Sequence, residues 1–194
     1  MTDDALATLC AAAYAPQWDF ASGDVHARRA GNVVAFRGTD PDCVADWLRD
    51  LEAVPWLNRH IGWCHAGFLD GALLALPWLR GLPHPLVLTG HSLGGALAVL
   101  SAALLVATGV PVAAMVTFGA PRAGGDGVRD VLHDVPVRQY RHGHDVVPEV
   151  PWLPDVLMHV APLTEIGSST GDPIADHAIA RYIAALTPDV QVAA

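Results

Sequence analysis

Apolar residues follow two patterns along this chain: short uninterrupted runs, and longer segments in which they recur at helical spacing. Three short runs, each followed closely by a glycine, have the pattern of buried strands, and they occupy 32–36, 85–89 and 112–118. Helical spacing covers 66–76, 93–108, 126–133 and 173–186, and a helix with Thr2 at its N-cap extends to Tyr14. Strands that alternate with helices predict an α/β fold, with a mostly parallel central sheet and helices on both faces.

Length and hydrophobicity predict one domain over 1–194, because 194 residues that are 52% hydrophobic suffice for a single sizeable core. The longest apolar tract, 96–106, is shorter than the roughly 20 residues that cross a bilayer, so it predicts a buried helix. The first residues are acidic where a secretory signal needs positive charge. By default, we therefore expect a cytoplasmic protein without a signal peptide or a transmembrane segment.

The charge of the chain excludes one class of partner. Twenty acidic and 11 basic residues give a formal net charge of −9, whereas a phosphate backbone requires a basic surface. We therefore expect no nucleic acid partner. A net acidic protein also gains no attraction to anionic lipid, so we expect contact with a lipid interface to be transient and hydrophobic.

The cysteines indicate neither a disulfide framework nor a zinc site. Cys10, Cys43 and Cys64 are odd in number and form no Cys-x-x-Cys pair. Buried or inert thiols are the favoured interpretation, and a bridge between Cys43 and Cys64 stays open.

The segment around Ser92 is typical of a catalytic nucleophile. An apolar strand runs into Gly-His-Ser-Leu-Gly at 90–94, and a helix follows directly. This strand, turn and helix form the context of a nucleophile elbow, in which the serine occupies a strained turn and glycines on both sides leave room for the backbone. The motif predicts a serine hydrolase of the α/β-hydrolase type, with Ser92 as its nucleophile.

A serine nucleophile needs a histidine as base and a carboxylate that orients this histidine. In this fold the acid and then the histidine follow the serine along the chain, which leaves several candidates for each role. We favour His177, at the entry to the last helix, and Asp145, which follows a predicted strand at 137–141. The competing residues are His133, His142, His144, His159, Asp134, Asp155, Asp172 and Asp176.

An oxyanion hole needs two donors beside the nucleophile. The first is the amide of the residue after the serine, Leu93, and the second comes from a loop that follows an early strand. Thr39 lies in such a loop and offers both an amide and a hydroxyl group, although an ordinary turn residue has the same pattern.

Several motifs together make the chain resemble the fungal-type, or class 3, triacylglycerol lipases. In the order of that family, they lie at 34–39, 46–51, 65–68, 90–96, 118–124, 145–148 and 176–177. The resemblance implies an α/β-hydrolase fold, with Asp145 as the acid and His177 as the base. It also implies that Thr39 is the oxyanion residue and that Asp50 hydrogen-bonds Thr39 in an open form of the site.

The same resemblance implies a short amphipathic lid after the oxyanion residue. Apolar residues including Val44, Trp47 and Leu51 recur there at helical spacing, which also fits a surface helix packed permanently on the core. Four tryptophans have two interpretations, as the lining of an acyl groove or, more commonly, as core. They are Trp56, Trp63, Trp78 and Trp152.

The function expected from these residues is hydrolysis of carboxylic esters by a lipase or esterase. The substrate would be a small-molecule or lipid ester, either an acylglycerol or a short-chain ester. Nucleophile, base and oxyanion donors complete this chemistry, so neither a metal nor an organic cofactor is expected. Alternatives are a phospholipase or acyltransferase with the same triad, and a non-catalytic binding module of the same fold.

Overall fold

The computed structural model describes residues 1–52, 54–153 and 155–187. Its strands are β1 (Phe20–Ser22), β2 (Val25–Ala30), β3 (Val33–Phe36), β4 (Pro55–Asn58), β5 (Gly62–His65), β6 (Leu86–His91), β7 (Val112–Phe118), β8 (Val137–His142) and β9 (Leu163–Ile166). Its α-helices are α1 (Asp3–Ala12), α2 (Val44–Asp50), α3 (Ala66–Arg80), α4 (Leu93–Ala107), α5 (Asp126–Val131), α6 (Pro173–Asp176) and α7 (Ile179–Leu186).

Seven of the strands form one sheet in the order β1-β2-β3-β6-β7-β8-β9, and β4 and β5 form a separate hairpin. Five neighbouring strands of this sheet run parallel: β3, β6, β7, β8 and β9. At one edge, β2 pairs antiparallel with both β1 and β3. This confirms the predicted mostly parallel sheet. The register sets Phe36 opposite Gly90 and His91 opposite Phe118, so the carboxyl ends of β3, β6 and β7 meet at one edge.

Helices cover both faces of the sheet, as predicted. Helices α1 and α7 enclose a core cluster on one face that includes Leu6 and Phe118, and α3 and α4 form the larger core on the other. Helix α4 is buried from Gly94 to Leu105, which explains why its sequence is apolar on every side. Among the described residues, no helix combines the length and apolarity needed to cross a membrane.

Several elements differ from the prediction. The single helix predicted at 173–186 is two helices, α6 and α7, with His177 and Ala178 between them. Strands β1, β2, β4, β5 and β9 were not predicted. In β2, two adjacent arginines, half-buried Arg28 and exposed Arg29, interrupt the apolar run. The predicted domain over 1–194 stays a prediction, and its last residues, 188–194, lie outside the described part.

The three cysteines are free in this structure: Cys10 and Cys64 are buried and Cys43 is exposed. Of the four tryptophans, Trp78 stacks on Phe20 with 5.0 Å between ring centroids, as a packed residue does. The other three are exposed, Trp152 by 72%, Trp56 by 58% and Trp63 by 46%. The more common core interpretation is therefore wrong for these three.

Candidate active site

The turn after β6 carries Ser92. With a φ of 59°, Ser92 is the one non-glycine residue with a left-handed backbone in the part of the chain that the structure describes. A Cβ atom at Gly90 would overlap the Gly94 carbonyl group, and one at Gly94 would overlap the carbonyl group of Phe36. Close backbone contacts therefore require the glycine on each side of the serine, as the motif predicts.

His177 and Asp145 form a buried hydrogen-bonded pair. His177 Nδ1 lies 2.8 Å from Asp145 Oδ2, and Nδ1 is the donor because a carboxylate only accepts. His177 Nε2, on the other side of the ring, is buried and has no hydrogen-bond partner among the described residues. In this tautomer Nε2 is a proton acceptor, which is the state that a general base requires.

Two further donors hold the Asp145 carboxylate in place. The backbone amide of Val147 donates to Oδ1 over 2.9 Å, and the hydroxyl of Tyr182 donates to Oδ2 over 2.5 Å. Burial and the nearby Asp145 charge raise the pKa of the Tyr182 hydroxyl well above its usual range, so the hydroxyl keeps its proton. Sequence analysis did not single out Tyr182; the available signal is a hydroxyl on an apolar helix face, which needs a buried partner.

Ser92 and the His177–Asp145 pair meet at the carboxyl ends of β6 and β7. The Ser92 amide donates to the carbonyl of Phe118 over 3.0 Å. A Cβ at the next residue, Gly119, would lie 2.6 Å from Asp145 Oδ2 and 3.0 Å from His177 Nδ1. Ser92 Oγ is itself buried without a hydrogen-bond partner among the described residues. The side chains predicted as nucleophile, base and acid thus lie at the same edge of the sheet, although no hydrogen bond joins Ser92 Oγ to His177 Nε2 in this structure. Their roles remain a prediction.

The competing bases and acids are engaged or exposed elsewhere. His133 and Asp134 pair on the surface over 3.0 Å, and His159 donates to the carbonyl of Pro148 over 2.8 Å. His142 is buried beside the Asp176 carboxylate. The remaining candidates are exposed: His144, Asp155 and Asp172.

His91, which precedes the nucleophile, holds the backbone of the candidate base. Its Nε2 donates to the carbonyl of His177 over 2.7 Å, the hydroxyl of Tyr14 donates to its Nδ1 over 2.7 Å, and its ring stacks on that of His177 at 4.5 Å. Full burial and the neighbouring His177 lower the pKa of His91 well below its usual range. A neutral His91 adds no positive charge beside the imidazolium that a general base forms.

Asp176, a competing acid in the sequence, fastens the loop that carries His177. Its buried carboxylate accepts hydrogen bonds from the His144 amide at 2.9 Å, the Ser169 hydroxyl at 2.7 Å and the Thr170 amide at 2.8 Å. Burial by itself would raise the pKa of Asp176, but these hydrogen bonds hold it well below its usual value of 3.8. The carboxylate is therefore ionised at neutral pH and fixes the loop before the candidate base.

We expect Asp176→Asn to lower the thermal unfolding midpoint most strongly at neutral pH. A carboxylate whose pKa is depressed in the folded state contributes stability above the unfolded value, here 3.8, and loses it as the pH falls toward the folded pKa. The difference between wild type and variant should therefore narrow below pH 3.8. Thermal unfolding over a pH series measures this difference in midpoint, with Asp134→Asn at an exposed aspartate as the control. If the midpoints of wild type and Asp176→Asn differed by the same amount at every pH, the carboxylate would not have the stabilising role assigned to it.

The candidate oxyanion loop passes next to the nucleophile. A Cβ at Gly38, directly before Thr39, would lie 3.0 Å from the Ser92 Cβ, and Thr39 Oγ1 is buried without a partner among the described residues. Leu93 begins α4, where free amides favour negative charge. Asp50 is exposed, and its hydrogen bond to Thr39, which the resemblance implies for an open form, is not formed in this structure.

Two spaces adjoin the candidate site. One is a partly open cavity of about 170 Å³, whose lining includes Thr39, Val44 and His177. The other is an open cleft of about 430 Å³, whose lining includes Trp47, Asp50, Val54 and Leu93. The segment between β3 and β4, which the resemblance implies is a lid, thus contributes to both spaces.

The candidate nucleophile is covered. Ser92 and Asp145 are 0% exposed and His177 is 2% exposed. Val44 of α2 is buried, and Trp47 packs against the core. If Ser92 is the nucleophile, an ester carbonyl can reach its Oγ only after part of this cover has moved. Movement of α2 as a lid stays a prediction.

Comparison with protein families identifies one match. Residues 33–154 match the model of the family described as Lipase (class 3). One curated relative is the secreted mono- and diacylglycerol lipase 2 of Gibberella zeae, which is 32% identical over 172 residues. Another is the secreted mono- and diacylglycerol lipase 1 of Fusarium solani, which is 40% identical over 143 residues. Each match covers 67% of this chain, which spans only 42% of the length of either relative. Because both are named as secreted, the default expectation of a cytoplasmic protein is wrong.

Solved structures share the fold. The Rhizomucor miehei triacylglyceride lipase superposes with a TM-score of 0.65 at 24% identity, covering 84% of this chain and 77% of the lipase. A lipase from Rhizopus microsporus var. chinensis superposes with a TM-score of 0.63 at 20% identity, and the match covers 85% of this chain and 71% of that lipase. These likenesses confirm the predicted α/β-hydrolase fold.

Proposed function

Because the chain belongs to the class 3 lipase family, we propose that it is a serine hydrolase that cleaves carboxylic esters of lipids. The observation that carries this proposal is the arrangement at the end of β6. A buried serine on a strained turn lies beside a histidine whose Nδ1 is held by Asp145 and whose Nε2 is left to accept a proton. A binding module needs none of these three features.

In the proposed reaction, Ser92 Oγ attacks the ester carbonyl while its proton moves to His177 Nε2. Asp145, which accepts the Nδ1 hydrogen, stabilises the imidazolium that results. The negative charge on the tetrahedral intermediate is held by the amides of Leu93 and Thr39, and loss of one such donor typically costs about 100- to 1000-fold in rate.

The intermediate then collapses to an acyl-enzyme as the C–O bond of the ester breaks. His177 gives its proton to the leaving alcohol, and a water molecule, activated by the same Nε2, releases the fatty acid and restores Ser92. No step needs a group from outside the chain other than the ester and water.

We propose mono- and diacylglycerols as the substrates. The two curated relatives are named as lipases of these esters. The partly open cavity of about 170 Å³ beside His177 is lined mostly by apolar side chains, among them Val44, Ile174 and Ile179, and it therefore suits part of an acyl chain.

A comparison of initial rates on emulsified monoolein, diolein and triolein tests this substrate class. We expect the first two esters to be hydrolysed faster than the third, because both curated relatives are named as mono- and diacylglycerol lipases. Dioleoylphosphatidylcholine and added ethanol serve as controls. Faster hydrolysis of the phospholipid, or transfer of oleate to ethanol in place of water, would contradict the proposal in favour of a phospholipase or an acyltransferase.

A further inference from the structure

Exposed apolar side chains concentrate on two neighbouring elements, the β4–β5 hairpin and α3. Of nine large hydrophobic residues that are exposed on the described surface, six lie at the β4–β5 hairpin or on α3. We call them the hairpin face: Val54, Trp56, Leu57, Trp63, Leu73 and Leu74. Monomeric soluble proteins rarely expose extended apolar patches unless the patch binds a partner.

The hairpin itself presents these side chains to solvent. Leu57 and Trp63 are opposite each other in the β4–β5 register, so both project from one side of the two-stranded ribbon. Trp56 and Leu57 are 58% and 59% exposed and, together with Leu73 of α3, line an open groove of about 500 Å³. A tryptophan has an apolar body and a polar N–H, which favours the boundary between lipid and water.

The charges around this groove are opposite to the net charge of the protein. Arg59 and Arg80 line it, and its described lining residues include no Asp or Glu, although the chain carries 20 acidic and 11 basic residues. Asp70 lies on α3 one turn before Leu73, outside the groove lining. The two arginines beside Trp56 form a local basic patch that the net charge of the chain does not reveal, and arginines at such a patch favour anionic head groups.

The hairpin face continues into the opening of the candidate active site. Val54, at the start of the hairpin, also lines the open cleft beside Leu93 and Trp47. A surface that docks on the hairpin face therefore lies next to the cleft from which an ester would approach Ser92.

We propose that the hairpin face docks the protein on a lipid–water surface that carries anionic groups. This inference rests on the proposed function for its purpose, since docking brings the cleft to aggregated ester, but binding is measurable without turnover. The indole rings and leucines enter the interface, while Arg59 and Arg80 lie at the level of the head groups.

Sedimentation with vesicles tests the apolar part of the face. The protein should bind vesicles of phosphatidylcholine mixed with phosphatidylglycerol, and the double variant Trp56→Ser/Leu57→Ser should bind at least about tenfold more weakly, because burial of one large apolar side chain exceeds a tenfold effect. Trp152→Ser, which removes an exposed tryptophan outside the face, is the matched control and should bind like wild type. Equal losses in both variants, or no loss in the double variant, would overturn the proposal.

The basic groups are tested separately. Arg59→Gln/Arg80→Gln should lose the preference for vesicles with phosphatidylglycerol and keep the weaker binding to pure phosphatidylcholine. An unchanged preference would contradict the assignment of the two arginines. If wild type forms a dimer in sedimentation velocity and the Trp56→Ser/Leu57→Ser variant does not, the face is a contact between copies of this chain, and lipid docking is wrong.

Hydrolysis of soluble p-nitrophenyl butyrate separates this proposal from the proposed function. All of these variants should turn over the soluble ester at the rate of wild type, since none alters Ser92, His177 or Asp145. Vesicle binding without any turnover of the ester would support docking and contradict the proposed function. Turnover of the ester without vesicle binding would support the proposed function and contradict docking.

Discussion

Ser92→Ala should lower kcat/KM for p-nitrophenyl butyrate by about 10⁶-fold, the loss typical of removing a catalytic serine. The alanine variant retains the amides of Thr39 and Leu93 and the pair of His177 and Asp145, but no group remains to form the acyl-enzyme. Initial rates measured with enough protein to detect the residual activity give this factor directly.

The same substitution should not destabilise the protein. Ser92 Oγ is buried and has no hydrogen-bond partner among the described residues, and an unsatisfied buried hydroxyl costs about 1–3 kcal/mol. We therefore expect a thermal unfolding midpoint equal to or above that of wild type. Ser101→Ala is the matched control, since Ser101 is also buried without a described partner but lies within α4. A loss of activity in both variants, or in neither, would contradict the role of Ser92.

Asp145→Asn should lower kcat by about 10⁴-fold without altering the fold. The Val147 amide donates to Oδ1, so the asparagine must place its oxygen at that position and its NH₂ toward His177 and Tyr182. The Tyr182 hydroxyl then turns to accept, and His177 Nδ1 must accept as well. The proton moves to Nε2, and the histidine can no longer take a proton from Ser92.

Steady-state kinetics on a soluble ester measure this loss, with Asp172→Asn as the control. Asp172 is exposed and caps α6 in the same loop as His177, and asparagine caps helices about as well as aspartate. The control therefore removes one negative charge near the site without changing the tautomer of His177, and its kcat should match wild type. An Asp145→Asn variant within tenfold of wild type would contradict the pairing of Asp145 with His177.

Local chemistry was readable from the sequence. Ser92 and the glycines on both sides act within one turn, so their spacing along the chain reports the strained backbone directly. The buried strands and α4 were also predicted, because apolar runs without charged residues are most stable inside a core. Order and context along the chain favoured Asp145 and His177 among several candidates, and the family resemblance strengthened that choice.

Contacts between segments that are distant along the chain could not be predicted from the sequence. The helix predicted at 173–186 carries no glycine or proline at the point where it breaks, so no local signal marks the break. His177, which lies in this break, hydrogen-bonds Asp145, 32 positions away. Tyr182 had the pattern of a core residue, and its hydroxyl acquires a role only when α7 packs against β8. Asp176 was one carboxylate among several until the loop folded around it.

Covalent labelling tests the central claim, that Ser92 is a nucleophile activated by His177. Wild-type protein is treated with p-nitrophenyl diethyl phosphate, and the peptides are analysed by mass spectrometry. We expect one diethylphosphoryl group per chain, located on Ser92, and much slower labelling of the same serine in Asp145→Asn. No adduct, or an adduct on another residue that persists in Ser92→Ala, would contradict it.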